Sequence, residues 1–309
     1  MEIQTVAVVG LGALGTLFGH RLSTHMPCEQ LRVVADAGRI GRYEREGVYS
    51  NGERCDFRYV APEAKTGPAD LVLIAVKYLQ LQSALQSIRH QVGEHTLILS
   101  LLNGITSEGI IAAAYGADKV IDCVAYGMDA VKEGNRLTYR NMGKLCIGPR
   151  NGDPVPEPVE RIRRFFQQRD FPYEIDRHME KRLWGKFMLN VGVNQTVAVF
   201  GPNYAAIQHE GEQRQTMVAA MREVVALSQL EGVNLTETDL AYWLNVLSTL
   251  NPEGKPSMRQ DVEAERPSEV ALFAGAVLEL AKKHGLDTPV NRMLMDALTG
   301  IEAGYGQRG

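Results

Sequence analysis

The chain has 309 residues, 45% of them hydrophobic, with a formal net charge of −4 and a pI near 6.0. This length is enough for two domains with sizeable cores. No block of like charges stands out, which argues against a general nucleic-acid or membrane-surface role and favours a small-molecule partner.

The cysteine pattern indicates reduced thiols. Cys28, Cys55, Cys123 and Cys146 lie far apart and form no CxxC pair, which disfavours both a zinc site and a disulfide framework. The N-terminus enters a strand-like run without the pattern of a signal peptide, and no stretch is apolar for the length of a membrane span. We therefore expect a soluble, cytoplasmic protein.

A glycine-rich turn follows the first predicted strand, residues 5–9, and a helical pattern follows the turn. Its sequence is GxGxxG in the strand–turn–helix context that dinucleotide-binding sites require. The glycines permit a tight turn, close approach of a pyrophosphate and close helix–strand packing, with the phosphates at the helix N-terminus. The predicted cofactor-binding residues here are Gly10, Leu11, Gly12, Ala13, Leu14 and Gly15.

Asp36 ends the second predicted strand, residues 31–35, about 20 residues after the turn. An acidic side chain there can accept hydrogen bonds from the adenosine ribose, which favours NAD(H). Arg32, Arg39 and Arg42 are close in sequence, and an arginine that reaches the pocket could accommodate a 2′-phosphate. The alternative is an aspartate that only caps the following helix.

Two further apolar strands are predicted at residues 71–76 and 97–101. The first runs into Lys77 and Gln80 and then a helix, and the second runs into Asn103, with a helix after Ser107. Ligands of doubly wound sheets bind at the carboxyl ends of the strands, so these polar residues are placed to line a cofactor and substrate site.

The remaining pattern divides the chain into a sheet part and a helical part. Strands are predicted at 120–124, 136–140, 144–147 and 173–175, with a hairpin turn at Gly134 and Asn135 between the first two, and a helix at 159–168. From residue 178 onward helical periodicity dominates, over residues 178–199, 211–231, 237–247, 267–284 and 290–301. The prediction is α/β: a Rossmann dinucleotide-binding domain, residues 1–176, followed by an all-helical domain, residues 177–309.

The first helix of the second part carries a polar stripe. Lys186, Asn190 and Asn194 are four residues apart and share one face of an otherwise apolar helix. A lysine there must be paired or take part in chemistry. The alternative is a lysine that reaches the surface beside two asparagines that satisfy backbone groups.

The sequence resembles the ketopantoate reductase (2-dehydropantoate 2-reductase) family over nearly the whole chain. The motifs are GLGALG at 10–15, AVKYLQ at 75–80, LNG at 102–104, WGKFMLNVGVN at 184–194 and PSMRQDVEAERPSEV at 256–270. The last two are the specific ones. The resemblance implies a Rossmann domain, a helical domain related to that of 6-phosphogluconate dehydrogenases, an active site in the cleft between them, and NADPH-dependent reduction of 2-dehydropantoate to (R)-pantoate.

The resemblance also implies roles for individual residues. Lys186 matches the catalytic lysine and Glu269 the acidic residue of the active site. The substrate-binding positions are Asn190, Asn194 and Ser257, and the cofactor-side positions are Lys77 and Asn103. Asp36 stands where NADPH-using members usually have arginine, which leaves NADP(H) or NAD(H) open as the cofactor.

Reduction of a 2-oxo acid takes a hydride to C2 and a proton to the developing alkoxide, so a cation or acid must lie beside that oxygen. Lys186 can serve as both, without a metal. Burial would lower its pKa, and a nearby carboxylate such as Glu269 would raise it. The alternative functions are reduction of another 2-oxo acid and non-catalytic regulation by an NAD(P)-binding protein. We also expect a homodimer that forms through the helical domain.

Overall fold

The structure is a computed structural model that describes residues 2–152 and 154–306. The chain divides into two compact units. The first comprises Met1–Leu102 and Thr106–Met179, and the second comprises Asn103–Ile105 and Glu180–Gly309.

The strands found among the described residues all belong to the first unit. They are β1 Val6–Val9, β2 Leu31–Val34, β3 Tyr49–Ser50, β4 Glu53–Arg54, β5 Arg58–Val60, β6 Leu71–Ile74, β7 Leu97–Ser100, β8 Val120–Ile121, β9 Cys123–Met128, β10 Val131–Glu133, β11 Arg136–Thr138, β12 Met142–Ile147 and β13 Tyr173–Ile175. The helices beside them are α1 Ala13–Ser23, α2 Ala37–Glu46, α3 Leu81–Ser87, α4 Ser107–Tyr115 and α5 Glu157–Gln168.

The main sheet is parallel, with the order β5-β2-β1-β6-β7-β8. Val6 pairs with Leu31 on one side and Leu71 on the other, so β1 lies at the centre. Alternate residues of its strands enter two separate apolar cores, one on each face. Burial of both faces explains the continuous apolar strands in the sequence, and the carboxyl ends of β1 and β6 adjoin where the strand order reverses.

The predicted hairpin between strands 120–124 and 136–140 is wrong. β8 belongs to the parallel sheet, whereas β9 pairs with β12, which also pairs with β13. The turn at Gly134 and Asn135 instead joins β10 to β11, and β11 pairs with β3. The error arose because β10 is only three residues long and two of them are charged, so it gave no recognisable strand signal.

The second unit is helical over its described residues. Its helices are α6 Met179–Phe200, α7 Ala205–Gln208, α8 Glu212–Leu230, α9 Glu237–Ser248, α10 Ser257–Glu263, α11 Ala274–His284 and α12 Pro289–Ala303. Helix α6 approaches its neighbours through glycines: a Cβ atom at Gly185 would lie 2.3 Å from Nε1 of Trp243, and one at Gly192 would lie 2.5 Å from Cγ of Met221. The small residues thus let α9 and α8 pack closely on α6.

Several predicted helix ends are confirmed. Thr236 begins α9 with a capping box that Asp239 completes, Gly285 ends α11 in the left-handed conformation with φ 66°, and Pro289 opens α12. The prediction of one helix from 267 to 284 is wrong at its start, because a 3-10 turn over Val270–Leu272 precedes α11.

Candidate functional site

The glycine-rich turn joins β1 to α1 at the carboxyl edge of the parallel sheet. Gly10 has φ 90°, and a Cβ atom there would lie 2.6 Å from the carbonyl oxygen of Ala75. A Cβ at Gly15 would lie 1.9 Å from the carbonyl oxygen of Gly10, so both positions require glycine. Gly12 is exposed, and its Cβ would have no neighbour nearer than 3.7 Å. The turn is therefore tight against the strand and open at Gly12.

Helix α1 begins at Ala13, directly after the open glycine. Its N-cap is Gly12, which has no side-chain acceptor, and its first turn contains no acidic residue. The first-turn N–H groups of a helix have no intrahelical acceptors, and they form its positive end. This end of α1 therefore fits an anionic pyrophosphate.

Asp36 follows β2 and caps α2. Its Oδ1 accepts a hydrogen bond from the main-chain N–H of Arg39 at 2.9 Å, and its Oδ2 lies 3.6 Å from Nε of the same residue. β2 and β1 are parallel neighbours, with Val9 paired to Val34. Asp36 therefore lies at the same sheet edge as the glycine-rich turn, and its side chain is exposed there.

The three arginines near Asp36 in sequence differ in their surroundings. Arg32 is buried, and it donates to Oε1 of Gln91 at 2.5 Å and to the carbonyl oxygen of Gly67 at 2.6 Å. The guanidinium of Arg42 lies over the ring of Tyr43. Arg39 is thus the arginine that contacts Asp36.

Lys77 lies at the carboxyl end of β6, the neighbour of β1. It precedes a 3-10 turn over Tyr78–Gln80, and its carbonyl oxygen accepts from the N–H of Gln80 at 2.8 Å. Both Lys77 and Gln80 are exposed. Their positions follow the rule that places ligand-binding residues beyond the ends of parallel strands.

The polar stripe of α6 meets a segment from the first half of the chain. Nζ of Lys186 donates a hydrogen bond to Oδ1 of Asn103 at 3.0 Å. Asn103 was predicted at the carboxyl end of β7, and the tripeptide Asn103–Ile105 belongs to the helical unit. Lys186 is half-buried among apolar residues of α6, with Trp184 and Phe187 buried on either side. The amide oxygen of Asn103 thus holds the ammonium group in one direction.

Asn190, Asn194 and Ser257 form a hydrogen-bond chain. Oδ1 of Asn194 accepts from Oγ of Ser257 at 3.3 Å and from the N–H of Met258 at 3.5 Å, and Nδ2 of Asn194 donates to Oδ1 of Asn190 at 3.3 Å. Ser257 is the first residue of α10, so its hydroxyl lies at a helix start. The sequence-predicted substrate residues are thus adjacent in space.

Glu269 lies between α10 and α11 and is half-buried. The preceding residue fixes this segment: the N–H and Oγ of Ser268 both donate to Oε1 of Glu302 in α12, at 2.9 and 2.5 Å. Ser268 Oγ also accepts from the N–H of Val270 at 3.3 Å. These contacts explain why the helix predicted from 267 begins late, because Ser268 is committed to α12.

One residue of this region was missed from the sequence. Nζ of Lys132, on β10, donates to the carbonyl oxygen of Leu11 in the glycine-rich turn. Neither the charged stretch around Lys132 nor its spacing pointed to that contact.

Among the residues that the structure describes, no group of His, Cys, Asp and Glu side chains could hold a metal ion. Nor is any described helix long and apolar enough to cross a membrane.

The parallel sheet carries a glycine-rich turn at its switch point, and the helical unit that follows carries a stripe of one lysine and two amides. Together these features define a two-part oxidoreductase with a dinucleotide-binding fold. The family model for ketopantoate reductase PanE/ApbA matches residues 6–152, and that for the C-terminal part of the same family matches residues 178–302. The chain belongs to the ketopantoate reductase family. It is a 2-dehydropantoate 2-reductase-like oxidoreductase.

Relatives named 2-dehydropantoate 2-reductase align over almost the whole chain. The 2-dehydropantoate 2-reductase of Streptococcus pyogenes serotype M1 is 25% identical over 304 residues, which cover 96% of this chain and 98% of the relative. The enzyme of the same name from Aquifex aeolicus is 25% identical over 298 residues, which cover 94% and 95%.

Solved structures show the same fold. A ketopantoate reductase from Ralstonia eutropha JMP134 has a TM-score of 0.84 at 24% identity and covers 97% of this chain and 98% of its own. A D-mandelate dehydrogenase solved with NADH and anilino(oxo)acetate has a TM-score of 0.85 at 21% identity, with the same coverage. The predicted fold class is confirmed.

Proposed function

We propose that this protein reduces a 2-oxo acid with a nicotinamide dinucleotide, and that the substrate is 2-dehydropantoate, reduced to (R)-pantoate. The observation that carries this proposal is the contact of Lys186 with Asn103 on the helix face that also presents Asn190 and Asn194. Family membership and the curated relatives named 2-dehydropantoate 2-reductase support the choice of substrate.

The first part of the chain supplies the dinucleotide site. The main-chain N–H groups of the turn Gly10–Gly15 and of the first turn of α1 would hold the pyrophosphate, and Asp36 would accept from the adenosine ribose. Lys77 and Asn103 are the further cofactor-side residues. A reduced nicotinamide, when bound, would supply the hydride. We assign residues 1–176 to this role, and 177–309 to substrate binding and dimerisation.

Lys186 is the proposed general acid. Its ammonium group donates a hydrogen bond to the C2 carbonyl oxygen and passes it a proton as negative charge develops there. The Asn103 oxygen accepts a hydrogen bond from the ammonium group and orients it, and a neutral amide oxygen is too weak a base to take up the proton. Lys186 then regains a proton from solvent.

The amides and Ser257 are the proposed substrate-binding groups. Ser257 donates to the Asn194 oxygen, and the Asn194 nitrogen donates to the Asn190 oxygen. The hydrogen-bond chain therefore ends at the Asn190 amide nitrogen, which is a donor. Donors of this kind suit a carboxylate or a hydroxyl oxygen. Glu269 is the proposed acidic residue, acting on a substrate hydroxyl or on Lys186.

The cofactor preference follows from Asp36. A carboxylate at this position accepts from the ribose 2′-hydroxyl and repels a 2′-phosphate. We propose that the protein uses NADH better than most members of its family do. We also propose that Arg39, beside Asp36, is the residue that accommodates the 2′-phosphate of NADPH.

A ketopantoate reductase from Staphylococcus aureus, which has a TM-score of 0.79 at 22% identity and covers 98% of this chain, is dimeric. We propose that this protein also forms a homodimer. Size-exclusion chromatography with light scattering measures the mass directly, and a monomer at all concentrations contradicts the proposal.

The experiment that tests the function follows the oxidation of NADH and NADPH with 2-dehydropantoate and a panel of other 2-oxo acids. Highest kcat/KM with 2-dehydropantoate is the expected result. A preference for an aryl 2-oxo acid would instead favour the activity suggested by the similarity to D-mandelate dehydrogenase. Dinucleotide binding without oxidation of either cofactor across the panel would point to a non-catalytic regulator.

A further inference from the structure

Lys132 joins an antiparallel hairpin to the glycine-rich turn. Its Nζ lies 2.7 Å from the carbonyl oxygen of Leu11 and 2.8 Å from Oγ1 of Thr16 in α1. Thr16 is fully buried, and its hydroxyl also lies 3.4 Å from the Leu11 oxygen. A single ammonium group therefore bridges the turn and the helix that follows it.

The hairpin that carries Lys132 is itself fixed to the sheet unit. β11 pairs with β3, where Leu137 lies opposite Ser50, and Leu137 is fully buried in the core. At the tip, Nδ2 of Asn135 donates to the carbonyl oxygens of Glu46 and Gly47 at 2.9 Å each, at the end of α2. The lysine thus extends from a firmly held element.

The ammonium group is largely removed from water. The pKa of Lys132 is lowered to about 8, mainly by burial and to a smaller extent by Arg42, while Cys55 acts in the opposite direction. A charge in such surroundings is costly unless it is hydrogen-bonded, so both contacts are needed to keep it there.

Holding the Leu11 oxygen has a direct consequence for Gly12. The carbonyl of Leu11 and the N–H of Gly12 belong to one planar trans peptide and point in opposite directions. Turning this peptide over changes ψ of Leu11 and φ of Gly12, and Gly12 has no side chain to resist the new φ. A hydrogen bond to the Leu11 oxygen from one side fixes the direction of the Gly12 N–H on the other.

We propose that Lys132 is a positioning residue for the dinucleotide, which locks the Leu11–Gly12 peptide so that the Gly12 N–H is preset for the pyrophosphate. The inference rests on the proposed dinucleotide function. Lys132 acts through the turn and does not itself bind the phosphates. Preorganised donors avoid the cost of ordering them on binding, so the loss of Lys132 weakens affinity.

The test compares Lys132→Met with the native protein and with Lys119→Met. Lys119 is a matched control, because its Nζ also donates to a backbone oxygen, that of Glu94 at 2.5 Å, away from the turn. Calorimetry measures the dissociation constants of NADH and NADPH, and hydrogen exchange measures protection of the amides in residues 10–16. Lys132→Arg, which restores a cationic donor, should recover most of the affinity.

We expect Lys132→Met to raise both dissociation constants about tenfold or more, the effect of losing a charge-assisted hydrogen bond. Exchange in residues 10–16 should quicken, while Lys119→Met changes neither. Unchanged affinity and exchange in Lys132→Met would overturn the inference. If Lys132→Met does not fold, Thr16→Val removes one partner of the ammonium group and should give a smaller change in the same direction.

Failure of the proposed function can be distinguished from failure of the inference about Lys132. If the native protein binds neither dinucleotide, the function is wrong, and the exchange of residues 10–16 in Lys132→Met alone decides whether Lys132 holds the turn.

Discussion

Nζ of Lys186 and Oδ1 of Asn103 are 3.0 Å apart although 83 residues separate them in the chain. The ammonium group donates this hydrogen bond to a neutral amide oxygen, which holds it in one direction. This pairing satisfies the sequence-based requirement that a lysine on an apolar helix be paired or take part in chemistry.

Replacement of Lys186 by alanine tests the central assignment. Lys186→Ala should lower kcat about 10²- to 10⁴-fold with the 2-oxo acid substrate, the usual contribution of a general acid, while dinucleotide affinity stays nearly unchanged. The control is Lys181→Ala on the same helix, which removes an ion pair with Asp239 at 2.9 Å and should leave kcat intact. A kcat of Lys186→Ala within a fewfold of native contradicts the assignment.

Cofactor preference should depend on Asp36. Asp36→Arg should shift the ratio of kcat/KM values toward NADPH, because the substitution replaces repulsion of the 2′-phosphate with attraction. Since Asp36 also caps α2, its loss should cost about 1 kcal/mol of stability. Asp36→Asn is the control, because it keeps a capping oxygen without the charge. Strong NADPH preference in the native protein would show that Arg39 outweighs Asp36.

Alanine substitutions at Ser257 and Glu269 distinguish a role in substrate binding from a structural role at a helix terminus. Ser257→Ala and Glu269→Ala should each raise KM or lower kcat for the 2-oxo acid, with little change in melting temperature, because a substrate-binding group contributes mainly to the bound state. Ser248→Ala is the matched control, since Ser248 is exposed and its hydroxyl donates to the carbonyl oxygen of Asn245 within α9. A lowered melting temperature with intact kinetics would make either residue structural.

The buried carboxyl group of Glu108 should make the free energy of unfolding depend on pH. Burial raises the pKa of this carboxyl from 4.5 to about 7, with a smaller contribution from Asp122, and Ser107 donates a hydrogen bond to it. The folded state therefore prefers the neutral acid, and stability falls as pH rises from 4.5 through 7.

Glu108→Gln removes this dependence. The variant should be more stable than the native protein at pH 8, by about 3 kcal/mol at most, and should match it near pH 4. Urea unfolding at both pH values measures the difference. The exposed Glu94→Gln serves as control, and an equal gain of Glu108→Gln at both pH values would rule out the titration.

Two glycine substitutions test the packing of α6. Gly185→Ala would force a methyl group to 2.3 Å from the buried ring of Trp243 and should cost about 1–3 kcal/mol of unfolding free energy. Gly300→Ala, within α12, meets no atom within 4 Å and should instead stabilise by about 0.5–1 kcal/mol. The paired melting temperatures should move in opposite directions, and a stable Gly185→Ala would show that Trp243 can shift.

Much of the fold follows from local patterns. Apolar runs buried on both faces marked β1, β2, β6 and β7, and the four-residue spacing of Lys186, Asn190 and Asn194 put them on one helix face. Short strands escaped prediction because three residues carry little periodicity, as in β10, and α10 was missed because seven residues after a proline-rich loop gave no clear pattern.

The chemistry that lies within single elements could therefore be predicted from the sequence: the glycine-rich turn, the acidic residue after β2 and the polar stripe of α6. Tertiary structure alone decided which residues from distant segments meet them. Asn103 reaches Lys186 across 83 residues, and Lys132 reaches Leu11 across 121. Arg39, and not the buried Arg32, contacts Asp36. The physical reason is that spacing along a helix or strand fixes direction only within that element, whereas partners in other elements are set by how the elements pack.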